Sequence, residues 1–152
     1  MKWALLSDIH ANLHALQACM AHAREQGIDK WAILGDIVGY GGDPLPVVEA
    51  VMALHHEGAV VLQGNHDAMA VTPPQAEGSL GAVAAAWTYQ QLPPACRRFL
   101  AHIPLTQRIE HMLTEGPHDV RVVILEGEAE VADQIVVMAA GKVEQVGKPL
   151  EL

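Results

Sequence analysis

Three short apolar runs alternate with helical patterns in the first 67 residues, and each run ends at polar residues. The runs WALL at 3–6, WAIL at 31–34 and AVVL at 59–62 are bounded by turn residues and predict buried strands. Between them, apolar residues recur at helical spacing at 12–26 and again from about 45. Because strands and helices alternate with short connections, the pattern predicts an α/β fold with a parallel strand–helix layer.

The later part of the chain has a different texture. Residues 76–102 are rich in alanine and predict helices, interrupted where two prolines occur together. LTQRI at 105–109 and VRVVIL at 120–125 predict strands. QIVVMAAGKVEQV at 134–146 predicts a C-terminal β-hairpin. We therefore expect the α/β layer to be followed by β-structure.

The composition excludes several classes of function. The chain carries 18 acidic and nine Lys or Arg residues, a formal net charge of −9, and no basic cluster, so we expect no nucleic-acid partner. No apolar run approaches the roughly 18 residues that span a bilayer, and the first one is too short for a signal peptide. We expect a cytoplasmic protein that binds no membrane, in which Cys19 and Cys96 are buried free thiols.

Candidate ligands follow each of the three predicted strands. Asp8 and His10 come after the first strand, Asp36 after the second, and Asn65 and His66 after the third. Groups beyond the carboxyl ends of parallel strands meet in one crevice. An extended backbone places side chains two residues apart on the same side, so we expect the first two to lie together. The sequence therefore predicts a cluster of oxygen and nitrogen ligands at one edge of the sheet.

Mixed oxygen and nitrogen ligands favour borderline divalent metals such as Mn, Fe or Zn over an all-oxygen Mg or Ca site. Two cations about 3.5–4 Å apart would clamp a phosphoryl group and activate a water for in-line attack. His66 would then be available to protonate the leaving oxygen, and Asp67, next in sequence, could orient it.

The motifs SDIHAN, LGDIVGYGGDP and GNHD, in this order, resemble those of the calcineurin-like metallophosphoesterases, in particular the small prokaryotic phosphodiesterases. The resemblance extends to about residue 105 and implies an αββα sandwich that acts on a small phosphoester substrate. It implies two divalent ions from among Mn, Fe, Zn and Ni. Asp8 and His10 would bind one metal, Asp36 would bridge, Asn65 would bind the second, and His66 would be catalytic.

The chain departs from this family in its second half. The family supplies later metal ligands from a His-Gly and a Gly-His-x-His motif, and neither occurs here. After His66 only His102, His111 and His118 remain, and His118 in MLTEGPHD is a candidate for a degraded form of the first motif. The resemblance therefore implies an incomplete sandwich whose activity is weak or lost.

The last 23 residues, EVADQIVVMAAGKVEQVGKPLEL at 130–152, resemble a different family, the ATPase subunits of ABC transporters. The chain contains no G-x-x-x-x-G-K-[ST] loop, so nothing in it would cradle ATP phosphates. The alternative is that this segment is simply a good β-hairpin. We expect a metallophosphoesterase-like domain at 1–112 and a divergent tail at 113–152.

Three functional interpretations remain open on the sequence. The first is a metal-dependent phosphoesterase with a dinuclear centre. The second is a non-catalytic remnant of such an enzyme, produced by truncation or fusion. The third is an accessory piece linked to an ABC transporter, which the missing ATP-binding loop disfavours.

The predicted hairpin generates a test of the tail. Two strands alone are marginally stable in water, so their apolar face needs a partner, and a second copy of the chain is one candidate. Deleting residues 130–152 should change solubility or oligomeric state and leave metal bound by Asp8, His10 and Asp36. Size-exclusion chromatography and metal analysis of the truncated protein measure both. A folded, metal-free truncation product would make the tail part of the metal site.

Overall fold

The three predicted strands form one parallel sheet. The computed structural model describes residues 3–74 and 79–107 with their side chains and, beyond them, the backbone of four further strands. Strands β1 (Trp3–Leu6), β2 (Lys30–Ile33) and β3 (Val60–Val61) pair in the order β1-β2-β3. Both pairings are parallel, so the carboxyl ends of all three strands meet at one edge, as predicted.

The first two helices begin and end where the sequence predicts. Helix α1 (Leu13–Glu25) is capped by Asn12, whose side-chain oxygen accepts the Ala15 N–H at 3.0 Å. Helix α2 (Pro44–His56) starts with a proline, which suits the first helical position because no backbone N–H is needed there. Each helix returns the chain to the amino end of the next strand.

Three more helices follow the sheet: α3 (Asn65–Val71), α4 (Leu80–Gln91) and α5 (Pro94–His102). The predicted interruption in the Ala-rich region is confirmed, because α4 ends before Pro93 and α5 begins at Pro94. Among the residues described, no helix is both long and apolar enough to cross a membrane.

The main hydrophobic core joins the sheet to helices α1, α2, α3 and α5. Ile33 of β2 packs in one cluster with Leu16 of α1, Val47 and Val51 of α2, and Leu100 of α5. The alternate strand residues Ala32 and Val60 belong to a second, smaller cluster, as expected where successive side chains point to opposite faces. The sheet is thereby anchored below the edge at which the candidate ligands lie.

The later strands form two antiparallel pairs. Strand β4 (Ile109–Leu113) pairs with β5 (Gly116–Val120), and β6 (Ile135–Ala139) pairs with β7 (Lys142–Gly147). The strand predicted at 105–109 (LTQRI) begins later than predicted. Strand β4 starts at Ile109, and Leu105 is 68% exposed. Residues 121–125 of the predicted strand VRVVIL and the hairpin turn at 140–141 lie outside the described residues. The division of the chain at 112/113 stays a prediction.

Candidate metal centre

The loops that follow β1 and β2 run side by side. The backbone N–H of Asp8 donates to the Gly35 carbonyl at 3.3 Å, that of His10 to Asp36 at 2.9 Å, and that of Ala11 to Ile37 at 2.9 Å. The pairing of the strands therefore continues past their carboxyl ends. Backbone hydrogen bonds therefore help to hold His10 next to Asp36.

Three of the predicted ligands adopt a left-handed backbone. The φ angles are +55° at Asp8, +46° at His10 and +49° at Asp36. The sequence argument that an extended backbone places Asp8 and His10 on one side is therefore wrong in its geometry. Asp and His tolerate this region better than most residues, but each such position still costs about 1 kcal/mol or more. Strain of this kind clusters at functional sites.

The His10 imidazole is oriented by one hydrogen bond. Its Nδ1 lies 3.2 Å from the carbonyl oxygen of Val38, which can only accept, so Nδ1 carries the proton. The lone pair is then on Nε2, which lies 3.6 Å from Oδ1 of Asp8. A second partner that fixes the tautomer of a histidine in this way is typical of metal-binding histidines.

Asp36 connects the loop after β2 to the start of α3. Its Oδ1 accepts the backbone N–H of His66 at 3.0 Å. Ligand atoms of His10, Asp36 and His66 all lie within 4.8 Å of one another, and among the described residues this trio is a group that could hold a metal ion. The cluster unites groups that follow three different strands, as the sequence predicts.

The other two predicted ligands are placed beside this cluster. Asp8 has a side chain that is 67% exposed, and Oγ of Ser7 donates to its Oδ2 at 2.6 Å. Asn65 is the first residue of α3, is exposed, and directly precedes His66. The assignments of Asp8, His10, Asp36 and Asn65 as metal ligands and of His66 as the catalytic residue stay predictions.

The carboxylate of Asp67 binds the backbone of neighbouring loops, whereas the sequence suggests that it orients the His66 side chain. It is fully buried, and its two carboxylate oxygens accept the backbone N–H groups of Val38 at 3.1 Å and Gly64 at 2.9 Å. It therefore ties together the backbone around the site, and both of these bonds go to main-chain groups. Burial raises the pKa of Asp67 to about 6, and the charge of Asp36 also raises it, whereas the two N–H groups act in the opposite direction.

The donors fit a borderline divalent metal. Imidazole nitrogen and carboxylate oxygen converge at the cluster, and each of its three residues is partly exposed, so solvent reaches it. A cavity of about 480 Å³ opens beside it, lined among others by Asp8, His10, Tyr40 and Asp43. The cavity meets the cluster at His10.

Tyr40 is a residue of the site that the sequence analysis missed. Its ring contacts the rings of His10 and His66, with centroid distances of 5.2 and 4.6 Å. The available signal was an aromatic residue flanked by glycines in the loop that follows the Gly-Asp motif. In the structure Tyr40 is 57% exposed and lies outside the core, at the two histidines.

The family model of the calcineurin-like phosphoesterases matches residues 1–146 of this chain. This match covers nearly the whole sequence, and it agrees with the parallel sheet and with the cluster at the carboxyl ends of its strands. The chain belongs to the calcineurin-like phosphoesterase family.

Individual relatives are similar over the front of the chain. An uncharacterised protein of Methanocaldococcus jannaschii is 38% identical over 104 residues, which are 67% of this chain and 42% of that protein. The crystal structure of a metallophosphoesterase from Sphaerobacter thermophilus is 34% identical, with a TM-score of 0.57, and the match covers 72% of this chain and 43% of that one. The chain thus spans less than half the length of these two relatives.

A hypothetical protein of Pyrococcus horikoshii shares the fold. The TM-score is 0.62 at 23% identity, over 75% of this chain and 51% of that one. The resemblance of residues 130–152 to ABC transporter ATPases finds no support in these comparisons, and the family match extends through most of that segment.

Gly64 lies in close contact with Asp36, and this contact predicts the effect of adding a methyl group to Gly64. A Cβ on Gly64 would collide with the backbone nitrogen and Oδ1 of Asp36, whereas a Cβ on Gly42 would meet nothing within 4 Å. We expect Gly64→Ala to lower the free energy of unfolding by about 1–3 kcal/mol, the usual cost of overpacking, and to weaken Mn²⁺ binding. Gly42→Ala is the matched control and should change neither value. Urea denaturation and calorimetry measure the two effects, and equal behaviour of the variants would contradict the role of this contact.

Proposed function

We propose that this chain hydrolyses phosphomonoesters or phosphodiesters of small molecules, with divalent metal ions at the carboxyl edge of its sheet. The observation that carries the proposal is the convergence of His10, Asp36 and His66 within 4.8 Å of one another. Membership of the calcineurin-like phosphoesterase family supports the same reaction class.

His10 and Asp36 form the centre of the proposed metal site. His10 would offer Nε2, because its Nδ1–H donates to the Val38 carbonyl, and Asp36 would offer a carboxylate oxygen. Asp8 and Asn65 complete the proposed ligand set for two ions, from among Mn, Fe, Zn and Ni. When bound, such ions supply the positive charge that binds and polarises a phosphoryl group and lowers the pKa of water.

His66 is the proposed general acid. Its backbone N–H is held by Asp36, and its ring lies edge-on to that of His10, with 5.0 Å between the centroids and 88° between the planes. A positioned histidine is a common general acid, so His66 would donate a proton to the leaving alkoxide oxygen. Asp67 supports His66 indirectly, because it fixes the backbone at the start of α3.

The metal site is tested by removing one charge without disturbing the loop. Asn tolerates a left-handed backbone as well as Asp does, so Asp36→Asn keeps the conformation and an acceptor for the His66 N–H. We expect this variant to lose Mn²⁺ affinity by at least tenfold, equivalent to about 1.4 kcal/mol or more. Glu25→Gln, which removes a charge from the exposed last turn of α1, is the control. Calorimetry that gives both variants the wild-type affinity would rule out the site.

The catalytic part is tested with bis-p-nitrophenyl phosphate in the presence of Mn²⁺, Ni²⁺ or Zn²⁺. If His66 is the general acid, His66→Ala should lower kcat by about 100-fold or more while metal content stays at the wild-type level. Loss of metal together with activity would instead make His66 a ligand. If the metal-loaded wild-type protein hydrolyses no phosphoester, the chain has the fold of the family and a non-catalytic role.

A further inference from the structure

Tyr40 combines two unusual features. Its side chain is 57% exposed, although it is one of the large apolar-bodied residues of the chain, and its φ angle is +59°. Tyrosine gains none of the local hydrogen bonding that lets Asn and Asp adopt a left-handed backbone. The conformation is therefore strained, and strain at an exposed residue persists only where the surrounding structure imposes it.

The strained backbone brings the Tyr40 ring against two histidines. Its centroid lies 4.6 Å from that of His66, with 55° between the planes, and 5.2 Å from that of His10. The two imidazoles are themselves 5.0 Å apart, so the three rings form a mutually packed group. On its far side, the Tyr40 hydroxyl approaches the start of α4, 3.8 Å from the position a Cβ would take on Gly81.

The His66 ring depends on such packing for its orientation. His10 has a hydrogen bond from its ring to Val38, whereas within residues 3–74 and 79–107 the His66 ring packs against the rings of Tyr40 and His10 and has an Asp36 carboxylate oxygen within 4.8 Å of a ring nitrogen. A Cβ on Gly39 would lie 2.7 Å from Nδ1 of His66, so the imidazole rests directly on the backbone of this glycine. The loop around Tyr40 thus surrounds the ring of His66.

We propose that Tyr40 is a positioning residue, which holds the His66 imidazole in one rotamer through contact between their rings. Its consequence for catalysis rests on the proposed function, in which His66 is the general acid. The contact between the rings is the active feature, and the phenolic hydroxyl is dispensable. A misplaced catalytic group loses rate steeply, even when the displacement is about 1 Å.

Two substitutions distinguish the effect of the Tyr40 ring from the effect of its left-handed backbone. Tyr40→Phe keeps the ring and removes only the hydroxyl. Tyr40→Asn removes the ring and suits the left-handed backbone at +59° better than tyrosine does, so the loop itself is retained. Tyr89→Asn is the matched control, because Tyr89 is a partly exposed tyrosine of α4 whose ring packs on Arg97 outside the site.

The kinetic expectation is a change in kcat alone. With bis-p-nitrophenyl phosphate, Tyr40→Asn should lower kcat on the order of tenfold, the scale of one aromatic contact, with KM and metal content unchanged. Tyr89→Asn should remain within about twofold of the wild type, and Tyr40→Phe should lose less kcat than Tyr40→Asn does. A wild-type kcat in Tyr40→Asn together with a single His66 rotamer would overturn the proposal. An increase in KM alone would overturn it and indicate that Tyr40 contacts the substrate. An equal loss of kcat in Tyr40→Phe would overturn it and indicate that the hydroxyl is required.

A second measurement decides the inference without any activity. Three-bond couplings of the His66 side chain can be measured by NMR on histidine-labelled protein. They should show a single χ1 rotamer in the wild type and in Tyr40→Phe. In Tyr40→Asn they should show averaging over several rotamers. A single rotamer in all three would overturn the positioning role. Averaging with unchanged kcat in an active enzyme would support the positioning by Tyr40 and instead remove His66 as the general acid.

Discussion

The rest of the site depends on the hydrogen bonds that the buried carboxylate of Asp67 accepts. It accepts one N–H from Val38, in the loop after β2, and one from Gly64, at the start of α3. Val38 in turn uses its carbonyl to orient His10. A single buried side chain therefore joins all three strand ends. Removing it would leave buried N–H groups without acceptors, which costs about 1–3 kcal/mol for each group.

The site is built mainly from backbone, and this explains its left-handed residues. Asp8, His10 and Asp36 hold their side chains in place because parallel backbone bonds continue beyond the strands. Gly35 and Gly64 allow the two loops to touch, since a Cβ on Gly35 would lie 2.7 Å from the Gly64 nitrogen. The strain is borne by a core that packs against the sheet below, and the candidate ligands are thus held in place by the fold itself.

Much of this arrangement could be predicted from the sequence, because its signals are local. Strand β1 and helix α1 follow from an apolar run and from the cap at Asn12, and the ligands follow from their positions after strands. The left-handed φ angles could not be predicted, since they arise from pairing between residues distant in sequence. The same holds for Asp67, whose partners depend on which loops meet, and for Tyr40, whose contacts join residues from three loops.

The charges around the site give a physical reason for a cation there. The chain has a formal net charge of −9, and the charge of Asp36 raises the pKa of the nearby Asp67, so the two carboxylates repel each other. A phosphoester, itself anionic, would be repelled by both. Divalent ions held by residues such as His10 and Asp36 would offset this negative charge and supply positive charge to an anionic substrate. The acidic composition that argues against nucleic-acid binding is therefore compatible with phosphate chemistry, provided that metal ions supply the positive charge.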